Sequence, residues 1–319
     1  MKLSHAGRLV ALMTTVVFAS TGCGGTVAPT GGVPQSLARA TATHRGSWML
    51  PGTSAGVLIY ATGGCGGTCV LSYPEGKVVG SLGVQGNGAC SDANGNVFIT
   101  SSATVTEYAH GGTSPINTLS LPGGTAQGCS VDPTTNDLAV VFVGNGKDIA
   151  IFANEQGSPS LYQSTLNSSY CGYDASGNLV VDGYYNGEYI GLSELPMGSS
   201  TFTRLTINGT LDDPPMQVQW DGHYVSYESA QRGNVRVQRL SVSGSTATVV
   251  HTIHLRRITA RATQSWTYGN VIVVPYGAAA GGGIENKVGV WKYPKGGNPI
   301  DKYTNLPDKP DFRAVTVSG

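Results

Sequence analysis

The chain has 319 residues, no formal net charge at pH 7, 46 glycines and only 12% charged side chains. A neutral balance argues against nucleic acid as a partner, since that binding rests on an excess of positive charge. Length alone allows two domains, so the repeats have to decide how many there are.

At the amino terminus, Lys2, His5 and Arg8 precede an apolar run from Leu9 to Ala19. A short basic region, a short apolar stretch and small residues at its end make a secretory signal over residues 1–22. The run is too short to span a bilayer, which needs about 20 residues. Gly22-Cys23 looks like the end of a bacterial lipobox, with Cys23 as the lipidated first residue; Ser20 stands where an aliphatic side chain is usual. The alternative is an ordinary signal peptide with Cys23 incidental. Residues 23–46 are rich in Gly, Pro, Thr, Ser and Ala and read as a flexible linker. The expectation is an exported protein of the bacterial cell envelope, held to a membrane through lipid.

From Ser47 onward the sequence is repetitive. Tyr73–Gly76 (YPEG), Tyr108–Gly111 (YAHG), Phe152–Gly157, Leu195–Gly198, Leu240–Gly244 and Tyr293–Gly296 (YPKG) recur about every 44 residues. A second element is offset from the first: CSDANGNVFIT at Cys90, CSVDPTTNDLAVV at Cys129, CGYDASGNLVV at Cys171, WDGHYVSY at Trp220 and a weaker WTYGNVIVV at Trp266. Each reads as a strand, a tight turn and a second strand. No helical apolar spacing follows the signal. Four antiparallel strands per unit and six units predict an all-β, six-bladed β-propeller over residues 47–319, with nothing left for a second domain.

Ring closure is predicted as well. The first unit, SAGVLIYAT from Ser54, lacks a leading strand, whereas DFRAVTVSG at the carboxyl terminus has no partner downstream. Pairing of Arg313–Ser318 with Val57–Thr62 would complete blade one and remove an open edge.

Five cysteines remain after Cys23, so at least one thiol stays free. Cys65 and Cys69 flank Gly66-Gly67-Thr68 in a hairpin, a spacing that suits a disulfide better than a metal pair, because no second zinc-type pair exists. Cys90, Cys129 and Cys171 lie in successive inner strands. Cys129 and Cys171 stand three residues before the turn aspartate, but Cys90 stands two before, so it faces the other way. The expectation is three small buried hydrophobes between blades, with a Cys129–Cys171 bridge as the alternative.

Asp92, Asp132, Asp174 and Asp221 repeat at equivalent turns. Each is expected to bond its own turn backbone rather than join a carboxylate ring for a divalent cation. Residues that break the repeat are more informative. Tyr173, Gln219, Trp220, Gln264 and Trp266 could offer stacking and amide hydrogen bonds to a sugar or peptide at a propeller mouth, or could pack between blades. Asp182 and Glu188 are the best-placed unrepeated carboxylates. No nucleophile motif or zinc spacing is present. Arg232, Arg236, Arg239, Arg256, Arg257 and Arg261, with His251 and His254, fall between Glu228 and Glu285 without an acidic residue. That stretch suits an anionic partner, or a solvated face with counter-charges from other blades.

GNVFI, EYAHGG, DPTTNDLAV, CGYDASGNL, ELPMGSSTF and VQWDG, in this order, resemble a group of uncharacterised bacterial lipoproteins with NHL-like six-bladed propellers. The resemblance runs from about Ser47 to Leu306 and implies the propeller fold and an envelope location, but no activity. Asp137 departs from the pattern where a glycine is expected, and the Cys65–Cys69 loop is an addition. More remotely, the chain is similar to sugar-lactonase and strictosidine-synthase-like propellers. The reading favoured is a monomeric, non-catalytic, lipid-anchored module for a glycan, peptide or envelope protein, with no cofactor and no metal site identified. The alternative is a metal-dependent hydrolase or lactonase using Ca2+.

Overall fold

The computed structural model describes residues 46–319 except positions 145, 232–233, 259–260, 278–286, 305 and 308–310. The signal segment, Cys23 and the linker lie outside the described residues. The described chain forms six sheets, antiparallel but for one added strand, arranged as the blades of a propeller. In blade two the strands are Gly88–Ser91, Val97–Ser101, Thr104–Tyr108 and Pro115–Ser120, innermost first. Blade three runs Thr125–Val131, Leu138–Val143, Ile149–Phe152 and Ser160–Tyr162. Blade four runs Asn167–Tyr173, Leu179–Tyr185, Tyr189–Leu195 and Thr203–Arg204.

Blades one, five and six depart from this plan. Blade one carries Trp48–Met49 as an extra outer strand against Val78–Leu82. Blade five (Pro215–Trp220, Val225–Gln231, Asn234–Ser243, Thr246–Leu255) adds Thr206–Asn208, which pairs parallel to its outer strand. In blade six the inner strand is split into Arg261–Ala262 and Trp266–Tyr268, both paired with Val271–Gly277.

The Tyr-to-Gly repeat has a backbone cause. Its six glycines, Gly76, Gly111, Gly157, Gly198, Gly244 and Gly296, all adopt positive φ, between 56° and 76°. A side chain is strained there, so glycine marks the turn after each third strand. The repeated aspartates work as expected. Asp92 Oδ1 accepts from the backbone N–H of Asn94 and Asn96, and Asp174 Oδ1 from Ser176 and Asn178. Asp132 accepts from Thr134, and Asp221 from His223 and Tyr224.

The ring closes through the carboxyl terminus. Ala314–Ser318 pairs antiparallel with Leu58–Gly64, in register from Leu58↔Ser318 to Thr62↔Ala314. Its Val315 and Val317 are buried in a cluster built from blades one and six. The Ser318 hydroxyl donates to Gly95 O and meets His110 Nδ1, and Ser91 Oγ donates to Val317 O, so blade two also grips this strand.

Two disulfides are present among the described residues. Cys65–Cys69 closes the blade-one hairpin, as expected. Cys90–Cys129 joins the inner strands of blades two and three, which overturns the expectation that all three inner-strand cysteines are free. The register reading was sound, but its consequence is the opposite one. Successive blades meet front to back, so a forward-facing side chain in one blade meets a backward-facing one in the next. Cys90 and Cys129 face each other across the interface because they have opposite facing. Cys171 faces back toward blade three, with its thiol against Ala139 O, and is free and buried. Only it fills the space-filling role; burial pushes its pKa up strongly.

Candidate functional site

The inner strands set what the axis can do. At blade six, the side-chain amide of Gln264 accepts from Ala89 N–H and donates to Ala89 O in blade two. Its own carbonyl accepts from Val315 N–H of the closing strand. Trp266, two residues on, packs against the cluster of blades one and six and also against that of blades two and three. The broken inner strand of blade six therefore contacts the inner strands of blades one and two and the cluster shared by blades two and three. Gln219 of blade five copies the device: its amide accepts from Thr267 N–H at 2.8 Å and donates to Thr267 O at 2.9 Å. An amide used this way adds a rung of sheet-like pairing between blades.

The remaining sequence candidates are placed between blades. Tyr173 is buried among Ala139, Leu179 and other side chains of blades three and four, and its N–H donates to Ser130 Oγ. Trp220 is half-buried against the cluster of blades four and five. Asp182 is fully buried on the second strand of blade four. Its Oδ1 accepts from Tyr170 N–H, which a break in inner-strand register between Ser168 and Cys171 leaves available. Glu188 is exposed at a hairpin tip.

Asp182 has a counterpart that sequence reasoning missed. Glu228 occupies the same fourth position of the second strand in blade five, where blade two has Thr100, blade three Val141 and blade six Val274. It lies opposite Gln217, beside another register break, and accepts a hydrogen bond from Ser265 Oγ of blade six. Both carboxyls are buried, and Asp182 Oδ2, Glu228 Oε1 and Gln217 Oε1 have no partner. Burial pushes Asp182 up to about 8, against the lowering effect of Tyr170 N–H, and the Glu228 charge adds to the rise. Burial likewise pushes Glu228 up to about 7, opposed by Ser265. Burial thus favours the neutral acid at both positions, Asp182 keeping its proton to higher pH than Glu228, and an acid O–H can donate where a carboxylate cannot. The available signal was a carboxylate where sister blades carry Val, Thr or, in blade one, Ala61.

Among the described residues no group of three or more His, Cys, Asp or Glu side chains is arranged to hold a metal ion. Within the basic stretch, Arg236 pairs with Asp212 at 2.7 Å and Arg239 with Asp221 at 2.6 Å. Their counter-charges come from blade five and its entry rather than from other blades. Arg256 and Arg257 are exposed, and Arg232 lies outside the described residues.

The outer half of blade four is different in character. Tyr185 and Tyr189 are directly opposite across the hairpin that turns at Asn186-Gly187-Glu188. Opposed residues of an antiparallel pair project to the same face. Apart from Trp48, they are the exposed large aromatics among the described residues, at 37% and 64%. The Arg204 guanidinium lies 4.0 Å over the Tyr185 ring. Arg204 also lines a cavity of about 450 Å³ with Ile190, Gly191, Leu205, Thr206 and Ile207.

No protein-family model and no curated protein matches the chain. Solved structures match its fold. One from a nidogen/laminin complex has a TM-score of 0.62 at 12% identity, covering 83% of this chain and 99% of that one. A Bacteroides caccae protein of unknown function has a TM-score of 0.56 at 10% identity, covering 82% and 98%. A protein described as TolB from Agrobacterium tumefaciens has a TM-score of 0.52 at 17% identity, covering 77% and 88%. At these identities the likeness concerns the propeller alone.

Proposed function

We propose that the chain is a lipid-anchored binding module of the bacterial cell envelope, non-catalytic, with its ligand held on the surface of the ring. One observation carries the binding reading. The axis residues are committed to joining blades, while two tyrosines and an arginine stand exposed together beside a cavity on blade four. Aromatic side chains left in solvent as a cluster, rather than singly, mark interaction surfaces. The anchoring part rests on the sequence alone: the basic and apolar run, Gly22-Cys23 and the linker after it.

Expression in a bacterial host, membrane fractionation and intact-mass measurement test the anchor. The expected result is a membrane-bound chain beginning at Cys23 and carrying acyl groups, and a soluble Cys23→Ser variant. A soluble, unacylated wild-type chain would refute it. Turnover of lactone substrates by the purified protein would refute the non-catalytic reading.

A further inference from the structure

We infer that the face of blade four between Tyr185–Tyr189 and Arg204 binds an acidic saccharide, the tyrosine rings stacking on sugar and Arg204 taking a carboxylate. The inference rests on the binding-module reading and names its ligand class.

The hairpin geometry makes the surface. Asn186 and Gly187 both have positive φ, 51° and 75°, and Glu188 N–H donates to Tyr185 O, so the turn is tight. It carries the tyrosine pair beyond the buried part of the blade. Residues alternate faces along a strand, so Gly191 shares the face of Tyr189. Gly191 is buried, with Leu166 covering it: a Cβ there would meet Leu166 Cδ2 at 3.2 Å and Arg204 Nε at 3.9 Å, so Arg204 lies beside it on that face. Arg204 links the two parts of the surface, since it lies over the Tyr185 ring and lines the cavity with Thr206.

Charge narrows the ligand. Among the described residues the ion pairs use Arg236 and Arg239, and no described carboxylate lies at salt-bridge distance from Arg204. Its planar fork, steadied on the Tyr185 ring, is suited to bidentate contact with a carboxylate. A sugar ring offers a flat C–H face to an aromatic and hydroxyls to neighbouring polar groups. Asn186, Glu188 and Thr206 supply such groups around the rings and cavity. Glu188 is exposed in the same turn, where its carboxylate can accept from sugar hydroxyls.

The test is calorimetric titration of the purified full chain with oligogalacturonate, with maltohexaose as the neutral sugar and polyglutamate as the acidic peptide. Oligogalacturonate is expected to bind and the other two to bind at least tenfold more weakly. Tyr189→Ala should weaken binding about tenfold and Tyr189→Phe little, since the ring persists. Arg204→Ala should weaken it at least about tenfold, and Arg204→Lys nearly as much, because the fork is lost. Melting temperatures of the variants should stay near wild type, as both positions are exposed. Equal binding of maltohexaose, stronger binding of polyglutamate, or full affinity in Tyr189→Ala and Arg204→Ala would overturn the inference and leave a binding module with another site. Absence of binding to all three probes would overturn it as well; the module reading itself falls only with lactone turnover.

Discussion

Replacing Asp182 by Asn should change how stability depends on pH. In the folded chain the carboxyl is held at about 8, against about 3.9 in an unfolded chain. The native state therefore binds the proton more tightly between these values. Stability from this group is complete below pH ~4 and is lost as pH rises through 8. The slope is about −1.4 kcal/mol per pH unit within the window, so moving from pH 5 to pH 7 removes about 2.7 kcal/mol through Asp182 alone. Asn keeps an oxygen to accept from Tyr170 N–H and supplies an N–H where the neutral acid had its O–H. The variant should thus gain about 2.7 kcal/mol relative to wild type over that range. Urea unfolding at pH 5, 6 and 7 measures it, with equal m-values confirming that only stability moved. Parallel stability profiles for the two proteins would refute a buried, proton-holding Asp182.

Deleting residues 314–319 should abolish cooperative melting, since it strips the inner strand from blade one and opens an edge along Leu58–Gly64. Circular dichroism would show it, and a wild-type melt would refute the closure. The Cys90→Ala/Cys129→Ala double variant should lose about 4 kcal/mol by loop-closure entropy for a span of 39 residues, measured by urea midpoints. The same change at Cys65 and Cys69, separated by 4, should cost only about 2 kcal/mol. Gly88→Ala should destabilise by at least about 1–3 kcal/mol, because its Cβ would sit against Gln127 O of the next inner strand.

The elements that repeat were the legible ones. Turn aspartates and positive-φ glycines act within a few residues of themselves, so their pattern survives in sequence and gives blade count, strand order and closure. What one blade does to another is written in no local pattern. The Cys90–Cys129 bridge needed the front-to-back stacking of blades, not only the facing of each strand. Gln264 and Trp266 break the repeat, as noted from sequence, but their contacts beyond blade six follow from its split inner strand. Glu228 was hidden because VSYESAQ reads as an ordinary alternating strand. It stands out only when aligned with Val141 and Val274. The tyrosine pair was in view in VVDGYYNGEY, yet its exposure depends on how far the hairpin projects.

Hydrogen–deuterium exchange of the full chain with and without oligogalacturonate tests most directly where the ring binds. Protection confined to residues 184–191 and 203–207 is the predicted result. Protection instead on the inner strands Asn167–Tyr173 and Pro215–Trp220 would contradict it, since it would place the ligand at the inner ends of the blades, where Gln264, Trp266 and Gln219 join one blade to another.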